Sequence, residues 1–153
     1  MELQSFEGAC HCGAIGFVYS CTLPGEGWSL RACQCSFCRA HDALSTSDPA
    51  GQLEFHTRDA GALQRYRFGG RTADFLLCRN CGVYVGALMN SGRRSFGVIN
   101  VRALLQQPAG LAAAVAISYD GESPAERMAR REQRWTPVVA DGPDWMARDE
   151  VQS

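Results

Sequence analysis

Three thiols fall within six positions of one another in "ACQCSFCRA": Cys33, Cys35 and Cys38. Spaced as Cys-x-Cys-x-x-Cys, they can grip one metal ion from three sides, and the fourth coordination position then has two outcomes. The chain closes it with Cys21, a histidine such as His41 or an aspartate, or it stays open to water or substrate, as in catalytic zinc sites. Two further pairs, Cys10 and Cys12 in "CHCG" and Cys78 and Cys81 in "CRNCG", make up a complete four-thiolate set for a closed structural zinc. Gly13 and Gly82 follow the second cysteine of each pair, where a tight metal knuckle needs a permissive backbone. A site built from pairs so far apart in sequence converts metal binding into folding energy. The short knuckles favour zinc over an iron–sulfur cluster.

Ligand type limits the chemistry of the triplet. Three thiolates leave a zinc complex with net negative charge, a weaker Lewis acid than a three-histidine zinc whose bound water ionises near neutral pH. Hydrolysis by a metal-bound hydroxide is therefore disfavoured. A soft incoming ligand suits such a site better, and a substrate thiol held as thiolate is in its nucleophilic form. The chain also contains no lysine, so a carbonyl cannot be captured as a lysine Schiff base. Sulfur is left as the group that meets a carbonyl carbon, and the expected chemistry is making or breaking a carbon–sulfur bond.

The elements that must hold these thiols are mainly strands. Short aromatic or β-branched runs at 13–20, 51–57, 62–68, 72–78, 83–89 and 94–101 are separated by Gly, Pro, Asp or Ser clusters. In "LQRYRF", Leu63, Arg65 and Arg67 alternate with Gln64, Tyr66 and Phe68, which predicts a half-exposed face that mixes Leu with Arg. One helix is predicted over 123–135, with Ser123 as cap, Pro124 at the first helical position and Glu126 completing a capping box. Its charged surface reads as an outer helix, or as an arm against a partner subunit in a homodimer. The tail after Trp135 reads as loosely structured, with Trp145 as its anchor.

With 153 residues the chain suits a single domain, 1–153, with a core of its own. A net charge of −1 gives no positive field for nucleic acid or an anionic membrane. The start "MELQSFEGAC" does not have the form of a secretory signal, and no stretch approaches the roughly 20 apolar residues of a membrane span. A cytoplasmic location with reduced cysteines is the expectation.

"GACHCGAIGF" (8–17), Pro24, "CQCSFCR" (33–39), "GALQRYRFGGRTADFLLCRNCG" (61–82) and "INVRAL" (99–104) resemble, in order and spacing, the glutathione-dependent formaldehyde-activating enzymes, a family that includes centromere protein V. The resemblance spans about residues 5–105. It implies a β-tent fold of antiparallel sheets around a structural zinc, here with a C-terminal helix and tail at 123–153. By the same resemblance Cys10, Cys12, Cys78 and Cys81 hold the structural zinc, and Cys33, Cys35 and Cys38 hold a second, catalytic-type zinc that a sample can carry in part. The implied activity is that of a carbon–sulfur lyase, an S-(hydroxymethyl)glutathione synthase joining formaldehyde to glutathione. The alternative is a non-catalytic zinc scaffold or nucleic-acid-associated module.

Other side chains near these motifs carry expectations of their own. Arg31, Arg39 and Arg71 are candidates for pairing with the carboxylates of a glutathione-like substrate. His41 is read as a loop side chain beside the triplet, with a proton shuttle as the other option. His11 is expected to point away from the metal its neighbours share, His56 to be structural, and Cys21 to be a small buried hydrophobe.

Overall fold

The computed structural model describes residues 2–139. Gln4–Ala9 (β1), Ile15–Cys21 (β2) and Gln52–Thr57 (β5) form a three-stranded antiparallel sheet with β2 in the middle. A larger sheet runs in the order β10-β3-β4-β9-β8-β7-β6. Its strands are Val115–Ile117 (β10), Arg31–Cys33 (β3), Ser45–Thr46 (β4), Arg94–Asn100 (β9), Tyr84–Ser91 (β8), Asp74–Cys78 (β7) and Leu63–Tyr66 (β6). Thr136–Pro137 (β11) adds to β9. All six strands predicted from sequence are present. Those with the weakest hydrophobic pattern (β1, β3, β4, β10 and β11) are set by pairing with neighbours. The architecture is mainly β, with antiparallel sheets and few helices, as the resemblance implies.

The core lies between the sheets, where Phe17, Leu53, Val85, Leu88 and Ile99 are fully enclosed. Trp28 meets the rings of Phe6 and Tyr19 edge-on, with centroids 5.1 and 5.3 Å away. Pairs of this kind add to the gain from burying their area. On β6 the face carrying Leu63 and Arg65 turns inward, and Gln64 and Tyr66 take the exposed side. The reason is Asp74, which opens β7 in the neighbouring strand. Its buried carboxylate accepts from Arg65 Nη1 at 3.1 Å and also from Arg67.

Two helices complete the described chain: Ser36–Ala40 (α1) and Pro124–Arg134 (α2). The predicted capping box closes α2, with Glu126 N donating to Ser123 Oγ and Ser123 N donating to Glu126 Oε1. It is an outer helix that packs on the protein's own sheet. Met128, Arg131 and Trp135 recur at helical spacing, and Met128 and Trp135 pack on a second cluster formed by Ala73, Ala87, Met89, Phe96 and Val98. The segment straight after Trp135 is more ordered than expected. Thr136 pairs with Gly97, and its hydroxyl accepts from the buried Asp48 N at 2.8 Å. Trp145 lies outside the described residues.

Candidate metal centre

The four-cysteine group is assembled from two hairpin knuckles. Cys10 leaves β1 and Cys78 ends β7. In each knuckle a glycine with φ near 80° turns the chain back: Gly13 N donates to Cys10 O at 3.1 Å and Gly82 N to Cys78 O at 2.8 Å. Non-glycine residues rarely adopt that φ, which accounts for the glycine after each pair. A shift of strand register between Leu76 and Leu77 re-aims β7 just before its knuckle. The four sulfurs lie within 4.8 Å of one another, Cys10 and Cys12 at 3.7 Å and Cys12 and Cys78 at 3.5 Å. Tetrahedral zinc with Zn–S bonds near 2.3 Å requires sulfurs about 3.8 Å apart, so the donor set fits that ion.

Ile15 N donates to Cys10 Sγ at 3.4 Å. Burial pushes the Cys78 thiol up to about 12. Burial acts the same way on Cys81, but backbone hydrogen bonds from Cys12 and Val83 and the thiols of Cys78 and Cys10 outweigh it and hold Cys81 down to about 6. One sulfur therefore ionises readily while its neighbour keeps a proton for a metal to displace. His11, between the ligands, is exposed.

The triplet is local. Cys33 ends β3, Cys35 caps α1 and Cys38 sits in its first turn, with Cys38 N donating to Cys35 Sγ at 3.4 Å. Their three sulfurs also lie within 4.8 Å of one another. Thiol hydrogen bonds from Cys33 and Cys38 hold the Cys35 thiol far below the ordinary range. The same contacts, with burial, push Cys38 far up. Among the described residues no histidine or carboxylate joins this group. Cys21 is enclosed elsewhere, its Sγ donating to Leu23 O at 3.4 Å, and burial pushes its thiol up. His41 caps the C-terminal end of α1 and lies against Phe37, centroids 4.5 Å apart, as a loop side chain.

The sulfurs of the triplet open onto a cavity of about 110 Å³, several times the roughly 10–15 Å³ one water requires. Phe68, Phe75, Tyr84 and Trp135 supply its apolar walls, and Arg31, Tyr119, Arg127, Arg130 and Arg131 its polar ones. Of the three arginines proposed from sequence, Arg31 lines the cavity. Arg39 and Arg71 are exposed and do not line it. The arginines of α2 were not expected at the site. The available signal was the recurrence of Met128, Arg131 and Trp135, one helical face that mixes two core residues with a cation. His56 stands exposed on β5, away from both groups.

Fold and site together define a small mainly-β protein with one four-cysteine and one three-cysteine group, each of which could hold a metal ion. The chain belongs to the glutathione-dependent formaldehyde-activating enzyme family, whose model matches residues 5–119. The match runs further than the sequence motifs, taking in β10, and ends before α2. The crystal structure of a Rhodobacter sphaeroides protein is similar, at 31% sequence identity and a TM-score of 0.57, covering 72% of this chain and 99% of that one. No helix among the described residues is long and apolar enough to cross a membrane.

Proposed function

We infer that the protein joins a thiol to an aldehyde, or reverses that addition, as a carbon–sulfur lyase of the reducing cytosol. The carrying observation is the triplet: three convergent sulfurs, with no fourth protein ligand among the described residues, at a cavity large enough for a small organic molecule. In the forward direction a C–S bond forms, the carbonyl π bond breaks, and the thiol proton ends on the new hydroxyl oxygen. Cys33, Cys35 and Cys38 would hold a zinc ion, and Cys10, Cys12, Cys78 and Cys81 a second, structural one. At three thiolates, zinc supplies a soft open position that favours sulfur over hard oxygen ligands. Phe68, Phe75 and Trp135 keep water from the adduct. Burial pushes the Tyr84 phenol well above its ordinary range, so this wall residue stays protonated and can offer a hydrogen bond to the developing alkoxide, whose proton comes from the thiol. Glutathione and formaldehyde are the substrates the family points to.

Exchange spectroscopy on equilibrium mixtures of formaldehyde with glutathione tests this reading. Wild-type protein should accelerate exchange beyond the spontaneous rate, and Cys35→Ser should lose about 100-fold or more of that acceleration, as expected when a metal centre is disrupted. A Cys35→Ser variant with undiminished exchange would overturn it.

A further inference from the structure

Two arginines on the cavity wall, Arg31 and Arg131, have no carboxylate partner among the ion pairs of the described residues. Arg127 and Arg130 share one carboxylate, Glu122, with Nε contacts of 3.2 and 2.8 Å. Arg131 lies deeper, with 7% of its surface exposed. Its Nη1 donates to Thr72 Oγ1 at 2.8 Å and its guanidinium stacks on Trp135 at 4.6 Å, but Nε is buried without a hydrogen-bond partner. Arg31 donates through Nη2 to Ser47 Oγ at 2.8 Å, again a neutral acceptor. Neither Arg31 nor Arg131 forms a carboxylate pair among those the structure gives, and Asp120, the acidic residue on the lining, is exposed.

Burying a guanidinium costs several kcal/mol unless an anion compensates it. Thiolates at Cys33, Cys35 and Cys38 share the cavity and offset part of that charge, but none of them accepts from Arg131 Nε, which leaves this buried donor for a ligand oxygen to meet. Burial also pushes Arg131 down to about 10, which still leaves it a full cation at neutral pH. We propose that Arg131 and Arg31 form an anion subsite that seats a carboxylate of the substrate while its sulfur faces the cysteine triplet. Arg131 is thereby a specificity-determining residue, selecting thiols and aldehyde adducts that carry a carboxylate over neutral ones. The sulfur end of this inference rests on the carbon–sulfur reading, whereas the anion end does not. Arg131 lies on α2, beyond residues 5–119, so this selectivity belongs to a part of the chain the family model does not reach.

Calorimetric titration of the zinc-loaded protein with 3-mercaptopropionate, its neutral amide and propionate separates the two. Wild type should bind the thiol acid about tenfold more tightly than the amide, the gain of one charge-assisted hydrogen bond, and propionate should compete with it. Arg131→Gln should lose that preference while keeping its affinity for the amide. Equal binding of acid and amide by wild type overturns the subsite and leaves the carbon–sulfur reading standing. Propionate binding that needs Arg131, with no thiol binding, supports the subsite and overturns the carbon–sulfur reading. Binding of none of the three overturns both. If Arg131→Gln does not fold, Arg31→Gln and the wild-type acid-against-amide comparison decide.

Discussion

The two cysteine groups use the same ligand and differ in how far apart their members lie in the chain. Cys12 and Cys78 meet across 66 residues and join the end of β1 to the end of β7, one strand from each sheet. The triplet spans six residues of a single strand–helix junction. Closing the long loop carries a conformational cost that the first group must offset, so a metal held there would help to fasten the sheets together. The second group closes almost no loop. Its strand is fixed by parallel pairing with β10 and by Gln34 N donating to Ile117 O at 2.9 Å, which needs no metal. The proposed roles follow from this contrast: the first group would serve as a fastening, and the second would be free to act as a reagent.

The largest expected effect breaks the fastening. Structural zinc in small domains contributes about 10–16 kcal/mol of folding free energy, against a total stability of about 5–15 kcal/mol. Cys78→Ser should give chain without a cooperative melting transition, followed by circular dichroism. Cys33→Ser should cut zinc content to that of one group while moving Tm by only a few degrees, measured by metal analysis and calorimetry. A Tm loss as large as that of Cys78→Ser would erase the contrast.

A smaller effect concerns what seats the roof over the triplet. Asp48 accepts from Thr22 N at 2.8 Å, Thr22 Oγ1 at 2.7 Å and Ala50 N at 2.9 Å, while its own N–H reaches Thr136 behind α2. Burial raises its carboxyl, but the Thr22 and Ala50 hydrogen bonds outweigh that and hold it below the ordinary value. A depressed carboxyl contributes fully above its unfolded pKa of about 3.9 and is lost as pH falls through the lower folded value. Asp48→Asn should cost about 2 kcal/mol at neutral pH in urea melts and flatten the loss of stability below about pH 4. Smallest of all, Ser123→Ala should cost about 1 kcal/mol by removing the cap of α2, leaving zinc content unchanged.

Both cysteine groups were legible in the sequence because metal spacing is a local pattern and glycine marks each knuckle. The capping box of α2 was legible for the same reason. The role of α2 was not, since a mostly charged helix reads as solvated and nothing in its own pattern says that Arg131 faces a cavity built by β3, β7 and β8. Nor could sequence show that Asp74 would draw Arg65 inward, because that pairing depends on the register of β6 against β7. Strand β10 escaped notice for a related reason: three mostly exposed residues acquire structure only from parallel contact with the strand that carries Cys33.

The junction of α2 with β11 also governs traffic. The helix runs through Trp135 directly into a strand hydrogen-bonded to β9 near the middle of the large sheet, and Trp135 is itself buried. A helix bolted down at that end does not lift like a flap. Phe68 and Tyr119 line the same cavity and are themselves held, Phe68 against Phe37 and Phe75 and Tyr119 under Arg130, so the room in front of the sulfurs is set by packed rings and not by a hinged helix end.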